Sequence, residues 1–550
     1  MIRRFRQLLV TALSSAAVPL FATQAQAADA TVDLTATKQL IRGYGASSAW
    51  CGTVSTSIMD ALYKDLGYSI LRVRIEESIG DAWTSGNFSA WKPELTNAQN
   101  AIARGAIVFA SPWNPPASMK SGGKLITTKY ADYANYLKAY VKYFADNKAP
   151  LHAVSIQNEP DYATDWTAWT ATDLLNFLKA EGAGLAAATK VMMPESFQFR
   201  HPMSDPSLND ATAASYISII GGHLYGGTIQ TYPLATDQGK ELWETEHYFD
   251  TDGIADIMSL GKEVHSCMVT ASMNAYVYWW ITWPNGLANS NGTIFKRAYA
   301  LGQWAKYVRP GYHRVDATAS PATNVNVSAY TGDNKLVIVA VNSGTAAVSQ
   351  NFVVRGGTAT QVSSSQTSAS ANMTAGQDYS ISNGAFTASL AAQSITTFVG
   401  SVSGTSVGGS SSTGGASSTG GSSSTGGRIS TGGSSTSVVQ TGGSTSTGGG
   451  AAVGGGSVVV ATGGRVATGG AVGVGGASVV AETGGRVATG GNISSGGQVG
   501  AEDVSITPPT GESSGCGCVV AGTSRHGAGG AIGALLGLSI LTLRRRRVGT

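Results

Sequence analysis

The sequence predicts an α/β fold: a (β/α)8 TIM barrel with a fused side β-sandwich domain, followed by a disordered tether rich in Gly, Ser and Thr. Three observations predict it. Between residues 41 and 312, short β-branched or apolar runs alternate with helical patterns, the signature of parallel βαβ units. From 313 to 400 the pattern changes to strands such as VNVSAY, KLVIVAVN and SITTFV, separated by Gly, Asn and Asp turns. From Ser401 to Gly500 the chain is almost entirely Gly, Ser, Thr, Ala and Val, a composition that cannot bury a core.

In chain order, residues 1–27 place Arg3, Arg4 and Arg6 before an apolar stretch that finishes at Ala25-Gln26-Ala27, the pattern of a secretory signal peptide with cleavage before Ala28. A membrane anchor is the weaker alternative, because polar residues interrupt the run short of the ~20 residues a span needs. Residues 28–40 contain an alternating strand, Ala30 to Lys38, expected to join the side domain from the other end of the catalytic region. Eight barrel strands follow: Ile41–Ser47, Ser69–Ile75, Ala106–Ser111, Ala153–Asn158, Lys190–Glu195, Ile219–Tyr225, Glu241–Glu246 and Ala275–Ile281. Between the third and fourth, Tyr130, Tyr133, Leu137, Tyr140, Val141 and Phe144 recur at helical spacing.

Within the tether, 401–515, TGG recurs in units such as GGRVATGG; a stacked β solenoid is the alternative, but the units lack the larger apolar residues that a solenoid buries. Residues 516–550 run from the cysteines of GCGC through the apolar Ala528–Leu543 to Arg544–Arg547. That order resembles the C-terminal sorting signals of myxobacterial surface proteins, which implies processing near Cys516 or Cys518 by sorting machinery. A plain C-terminal transmembrane helix is the alternative, and either reading places the protein at the outer face of the cell.

The formal net charge of +3 is small for 550 residues and no Lys/Arg stripe crosses the globular part, which argues against nucleic acid and for an uncharged polymer as partner. Four cysteines are too few for a disulfide scaffold and none has metal-ligand spacing with histidine, so Cys51 and Cys267 are read as free thiols and no metal is expected. A tethered catalytic module is most simply a monomer.

Barrel chemistry sits where strands end at their C-terminal face. Two segments stand out there: SIQNEP, with Asn158 and Glu159, and WETEHY, with Glu246. Either glutamate alone could be a helix cap or an ion-pair partner of Arg72 or Arg74. Together, on the fourth and seventh strands, they form the facing pair that glycoside hydrolysis needs, one protonated and one ionised. The rivals are Glu76, Glu77, Glu195 and Glu244; Glu244 shares a strand face with Glu246 by the period-two rule, one layer deeper, and is read as structural or pKa-tuning. His223 and His247 are expected to support the site by hydrogen bonding. Trp50, Trp113, Tyr225, Tyr248, Trp279, Trp280 and Trp283 cluster at the same strand ends, where sugar rings could stack on them.

The segments IRGYG (from Ile41), SILRVRI (Ser69), GAIVFASPWNPP (Gly105), SIQNEPDYATDW (Ser155), PESFQF (Pro194), SDPSLND (Ser204), HLYG (His223), WETEHY (Trp243) and VRPGYHRVDAT (Val308) occur in one order. With them the stretch from Ala30 to Gly400 resembles the bacterial (glucurono)xylan endoxylanases of glycoside hydrolase family 30. The resemblance implies a retaining endo-β-1,4-xylanase without cofactor, with Glu159 as acid/base and Glu246 as nucleophile. It also implies that Trp50, Trp113, Asn158, Tyr225 and Trp279 line the subsite of the cleaved sugar. One loop departs: where glucuronoxylan-dependent members carry an arginine and, two residues on, a tyrosine that bind a glucuronate branch, ITWPNG has Trp283 and Asn285, while Tyr248, another branch contact, is kept. Neither Trp nor Asn replaces a charge-assisted arginine contact worth roughly 1.5–3 kcal/mol. The expectation is therefore xylan cleavage without strict dependence on glucuronate, unless the loop is realigned and Arg297 reaches the site. The alternatives are a glucuronoxylan-specific or xylobiose-releasing enzyme, or a non-catalytic xylan-binding surface adhesin.

Overall fold

The structure is a computed structural model that describes residues 27–162 and 166–404. The expected signal peptide, tether and C-terminal segment lie outside the described residues, except for Ala27 and 401–404 at their borders. The first strand, β1 (Ala30–Leu40), stands apart from the eight that follow. These are β2 (Gly43–Ser47), β3 (Ile70–Ile75), β4 (Ile107–Pro112), β5 (Ala153–Ser155), β6 (Lys190–Ser196), β7 (Ile217–His223), β8 (Glu241–His247) and β9 (Ala275–Trp280). They pair in parallel in chain order, and β9 pairs back to β2 to close the barrel. All eight correspond to runs read from the sequence, with ends shifted by a few residues.

Every residue of β2, β3 and β9 is buried, as parallel strands covered on both faces require. The barrel interior is floored by Ile70, Phe109, Ala153, Met192, Ile219, Trp243, Ala275 and Val277. Two residues further along three of those strands, on the same face, come Arg72, Ser111 and Ser155, all fully buried. A polar layer thus rests directly on an apolar floor, and the site is built on that layer.

The outer ring includes α1 (Lys92–Ile102), α2 (Tyr130–Asp146), α3 (Ala171–Ala188), α4 (Ile254–Val269) and α5 (Lys296–Ala305). The helical spacing read between the third and fourth strands is α2, which buries Tyr133, Leu137, Tyr140, Val141 and Phe144. Helix α3 starts at a capping box: the Thr170 hydroxyl accepts from the Asp173 N–H at 3.1 Å and the Asp173 carboxylate accepts from the Thr170 N–H at 2.9 Å.

After α5 the chain adds β10 (His313–Ala317), β11 (Val325–Gly332), β12 (Lys335–Asn342), β13 (Val348–Arg355), β14 (Gln361–Thr367), β15 (Ala385–Leu390) and β16 (Ser394–Ser401). With β1 these form one curled sheet in the order β14-β16-β12-β11-β10-β1-β13-β15, so the N-terminal strand sits inside it, antiparallel to β10 and parallel to β13. Strand β12 explains the continuous apolar run KLVIVAVN. Leu336, Ile338 and Ala340 enter the sheet's own core, whereas Val337, Val339 and Val341 join the barrel's core.

Candidate active site

The eight strands present their C-terminal ends to one side, and the backbone there is irregular in ways that aim side chains inward. Asn158 and Glu159 lie three and four residues beyond the end of β5 rather than in it. Their segment is stitched to both neighbours, Asn158 N to Pro112 O at 2.8 Å and Glu159 N to Glu195 O at 3.0 Å. Trp50, Glu159 and Glu195 have φ of 58°, 45° and 52°, left-handed conformations uncommon for residues with a Cβ and concentrated at functional sites. On β8 the pairing register shifts after Glu244 on both sides, a β-bulge.

The bulge corrects one expectation. Trp243 belongs to the barrel floor, and strict alternation from it would turn Glu246 outward. The bulge returns Glu246 to the interior, so Glu244 does not share its face. Instead Glu244 Oε1 accepts from the Glu246 N–H at 2.8 Å and Oε2 from the Val277 N–H at 3.1 Å. Burial, with Glu263 adding to it, pushes the Glu244 carboxyl well up. No arginine pairs with Glu244 among the described residues.

Five buried ionisable groups meet at the barrel mouth. Arg72, fully buried, contacts Glu246 Oε2 through Nη1 and Asn158 Oδ1 at 2.5 Å through Nη2; Nη2 also lies 3.0 Å from Glu195 Oε1, and Nε donates to Ser111 Oγ at 3.1 Å. The other Glu246 oxygen accepts from the Tyr225 hydroxyl at 3.0 Å. Glu159 pairs with His223 Nδ1 at 2.9 Å and accepts from Trp166 Nε1 at 2.9 Å. The far imidazole nitrogen of His223 stands 3.8 Å from Glu246 and 3.9 Å from Glu195.

Charge balance sets the protonation. Burial works against an ionised Glu195, but Arg72 and then His223 and Ser155 hold its carboxyl down at about 2. Burial likewise opposes a charged imidazole, yet Glu246, Glu159 and Glu195 raise His223 to about 10. Two cations, Arg72 and His223, therefore face the three carboxyl groups of Glu159, Glu195 and Glu246. Burial first, and the charge of Glu159 in addition, push the Glu246 carboxyl up against the pull of His223 and Arg72. Among the described residues, Glu159, His223 and Glu246 are the one group whose ligand-type atoms, all within 4.8 Å of one another, could close on a metal ion. With His223 protonated and bonded to Glu159, the group is better described as a hydrogen-bonded ion network.

Of the eight residues expected at the site, Glu159 and Glu246 belong to this cluster and the other six lie around it. Trp113 and Trp279 lie with the Arg72 guanidinium 4.7 and 5.4 Å from their ring centroids. Trp50 packs on Trp113 at 4.8 Å and Trp279 at 5.9 Å, with Arg74 4.3 Å from its own ring. Tyr248 touches the Tyr225 ring at 5.6 Å. Asn158 Nδ2 and Trp279 Nε1 are buried without a hydrogen-bond partner among the described residues, two donors left for a ligand. Of the rivals, Glu76 and Glu77 pair with Arg74 at 2.6 and 3.1 Å; His247, expected to support the site, bonds Glu263 at 2.8 Å rather than a carboxylate of the cluster. Arg297 is 2% exposed and donates to the backbone oxygens of Phe249 and Pro284 beside Asp252, so it does not reach the cluster. Sequence reasoning missed the central place of Arg72 and the Trp166 bond, and counted Glu195 only as a rival. An arginine in the otherwise apolar strand ILRVRI was the signal for the first.

Known proteins supply an independent comparison. The description Glycosyl hydrolase family 59 matches residues 93–296. The glucuronoxylanase XynC of Bacillus subtilis (strain 168) is 42% identical over 398 residues, covering 68% of this chain and 92% of that protein. The solved family 30 endoxylanase of Clostridium papyrosolvens C71 is 61% identical with a TM-score of 0.66, covering 68% of this chain and 100% of that one. The family 30 subfamily 8 xylanase of Clostridium acetobutylicum is 52% identical with a TM-score of 0.67, covering 68% and 99%.

Proposed function

The chain belongs to glycoside hydrolase family 30, and from that premise we propose that it is a retaining endo-β-1,4-xylanase that does not require glucuronate branches. The observation that carries the mechanism is the spacing of its two carboxylates. Oxygens of Glu159 and Glu246 approach within 4.8 Å, near the roughly 5–5.5 Å of retaining pairs and well short of the roughly 6.5–9.5 Å that admits a water between inverting ones. Glu246, with Arg72 on one oxygen and the Tyr225 hydroxyl on the other, attacks the anomeric carbon in its ionised form. Glu159 gives its proton to the departing glycosidic oxygen, and a glycosyl ester forms on Glu246. Glu159 then takes a proton from the water that cleaves the ester, while His223 and Trp166 keep its two oxygens in place. Asn158 Nδ2 is the donor placed to bond the sugar's 2-hydroxyl.

Relatives with xylanase names support the substrate class. The name of XynC also favours a second reading, a glucuronoxylan-specific enzyme. Against strict dependence stand Trp283 and Asn285 on the loop after β9 and the engagement of Arg297 elsewhere. We also read residues 1–27 as an export signal and 516–550 as a sorting segment, which would display the enzyme on the cell surface.

The test is hydrolysis of glucuronoxylan and of debranched linear xylan, with the anomeric configuration of the first product followed by NMR. Comparable rates on both and a β-configured first product are expected. Activity confined to glucuronoxylan with branch-defined products would reject the branch-independent reading, and an α-configured product would reject retention. Glu159→Gln and Glu246→Gln should each lower kcat by about 10³-fold or more; general acid–base work alone supplies roughly 10²–10⁴.

A further inference from the structure

Trp283 is the exposed large apolar side chain among the described residues, at 44%. A single exposed tryptophan is ordinary on a protein surface, but this one is neither isolated nor loose. Its ring lies 4.7 Å from that of Trp280, Trp280 lies 4.7 Å from Trp279, and Trp279 lies 5.7 Å from Trp113, each step tilted by 31–34°. The row thus runs outward from rings that pack on Arg72, the partner of Glu246. Tyr248 stacks beside it on Trp280 at 6.2 Å. The loop carrying Trp283 is pinned at every turn. Gly286 N bonds Trp283 O at 2.9 Å, Leu287 N bonds Trp280 O at 3.0 Å, and Ala288 N bonds Ile281 O at 2.8 Å. Below it, Tyr278 donates to Asn285 O at 3.0 Å and Arg297 to Pro284 O at 3.3 Å. Gly286 is required there, since a Cβ would lie 2.7 Å from the Trp283 nitrogen. An exposed ring fixed in this way has little rotamer freedom left to lose on binding.

Two polar atoms on the same stretch, Trp280 Nε1 and Asn285 Oδ1, are buried and have no hydrogen-bond partner among the described residues. One donor and one acceptor beside an apolar ring suit a hydroxylated, uncharged ligand. The guanidinium below the loop, Arg297 of α5, is turned to backbone oxygens and Asp252. Resting on the xylanase reading above, we propose that Trp283 is a specificity-determining platform that receives a neutral sugar ring of the substrate on the glycone side of the scissile bond. The side follows from the elements. The row climbs from the surroundings of Glu246 onto the loop after β9, whereas Trp166, the tryptophan that bonds the acid Glu159, lies after β5. The ring could be a main-chain xylose or a neutral pentose branch, and both have the same CH face and hydroxyls.

The experiment compares the protein with Trp283→Ala and Trp283→Phe on linear xylotriose, linear xylohexaose and an arabinose-substituted xylo-oligosaccharide. In Trp283→Ala the ratio of kcat/KM for the hexaose to that for the triose should fall about three- to tenfold, chiefly through KM, and Trp283→Phe should restore most of it. A loss confined to the branched substrate would assign the ring to a branch and equally support the platform. An unchanged ratio on every substrate, or an equal loss on all three, would overturn it. Failure of the unmutated protein to cut any xylan would instead sink the substrate reading, so the two outcomes are separable.

Discussion

Arg72 is one side chain that contacts Glu246, Asn158, Glu195 and Ser111 from a fully buried position, and only a planar guanidinium offers donors in that many fixed directions. Arg72→Lys keeps the charge and loses the geometry. We expect kcat to fall about 10²-fold, the cost of small misplacements at a reacting centre, with a smaller change in KM. A KM-dominated loss would assign Arg72 to binding instead. The same cluster makes stability depend on pH in two windows. Glu195 is depressed to about 2, so its contribution is complete above the ordinary glutamate value near 4.3 and is lost as pH falls toward 2. His223 is raised to about 10, so its contribution is complete below about 6.5 and is lost as pH rises through 10. Unfolding temperature followed from pH 6 to 10 should therefore decline, and His223→Gln should flatten that decline; parallel slopes would show that other groups carry it. Glu159, Glu246 and the aromatic residues were legible in the sequence because carboxylates and tryptophans at strand ends are scarce and positionally constrained. Arg72 was not, because its role depends on which residues lie across the barrel, and strand pairing rather than spacing decides that.

At the scale of the element, the eight strands and α2 could be read because burial on both faces or on one face imposes a period. The bulge on β8 could not. Its cause is a backbone irregularity stabilised by a side chain: Glu244 accepts from the N–H groups of Glu246 and Val277 at the register shift. A strict period-two reading put Glu244 and Glu246 on one face because it had no means of seeing that shift. Glu244→Gln keeps the size and one acceptor but turns an amide NH2 toward a backbone N–H. An unsatisfied buried donor costs about 1–3 kcal/mol, and kcat should fall with stability because the bulge sets the direction of Glu246. Calorimetry together with kcat would check this; lost stability with unaltered kcat would mean that the bulge holds without Glu244.

For the whole described molecule, the sheet and the barrel share a core rather than a linker. Val337, Val339, Val341 and Ile395 pack into the barrel's core, and Gly261 of α4 permits the approach, since a Cβ there would lie 2.9 Å from the Ile395 side chain. Gln303 of α5 donates to Thr367 Oγ1 at 2.9 Å and accepts from Thr397 Oγ1 at 2.7 Å, a buried polar lock between the two parts. Strand β1 adds a topological constraint. It precedes the barrel in the chain yet lies between β10 and β13, with Ala30, Val32 and Leu34 fully buried. The side sheet therefore cannot be completed without a strand from the other side of the barrel, and with the shared core this means that barrel and sheet should unfold in one cooperative transition. Barrel tryptophan fluorescence and far-ultraviolet circular dichroism, read across the same denaturant series, should give coincident midpoints. Gly261→Leu should lower both midpoints together by the roughly 1–3 kcal/mol typical of overpacking. Separate midpoints would show instead that the side sheet is an independent module resting on a self-sufficient barrel, and β1 would then be dispensable for activity.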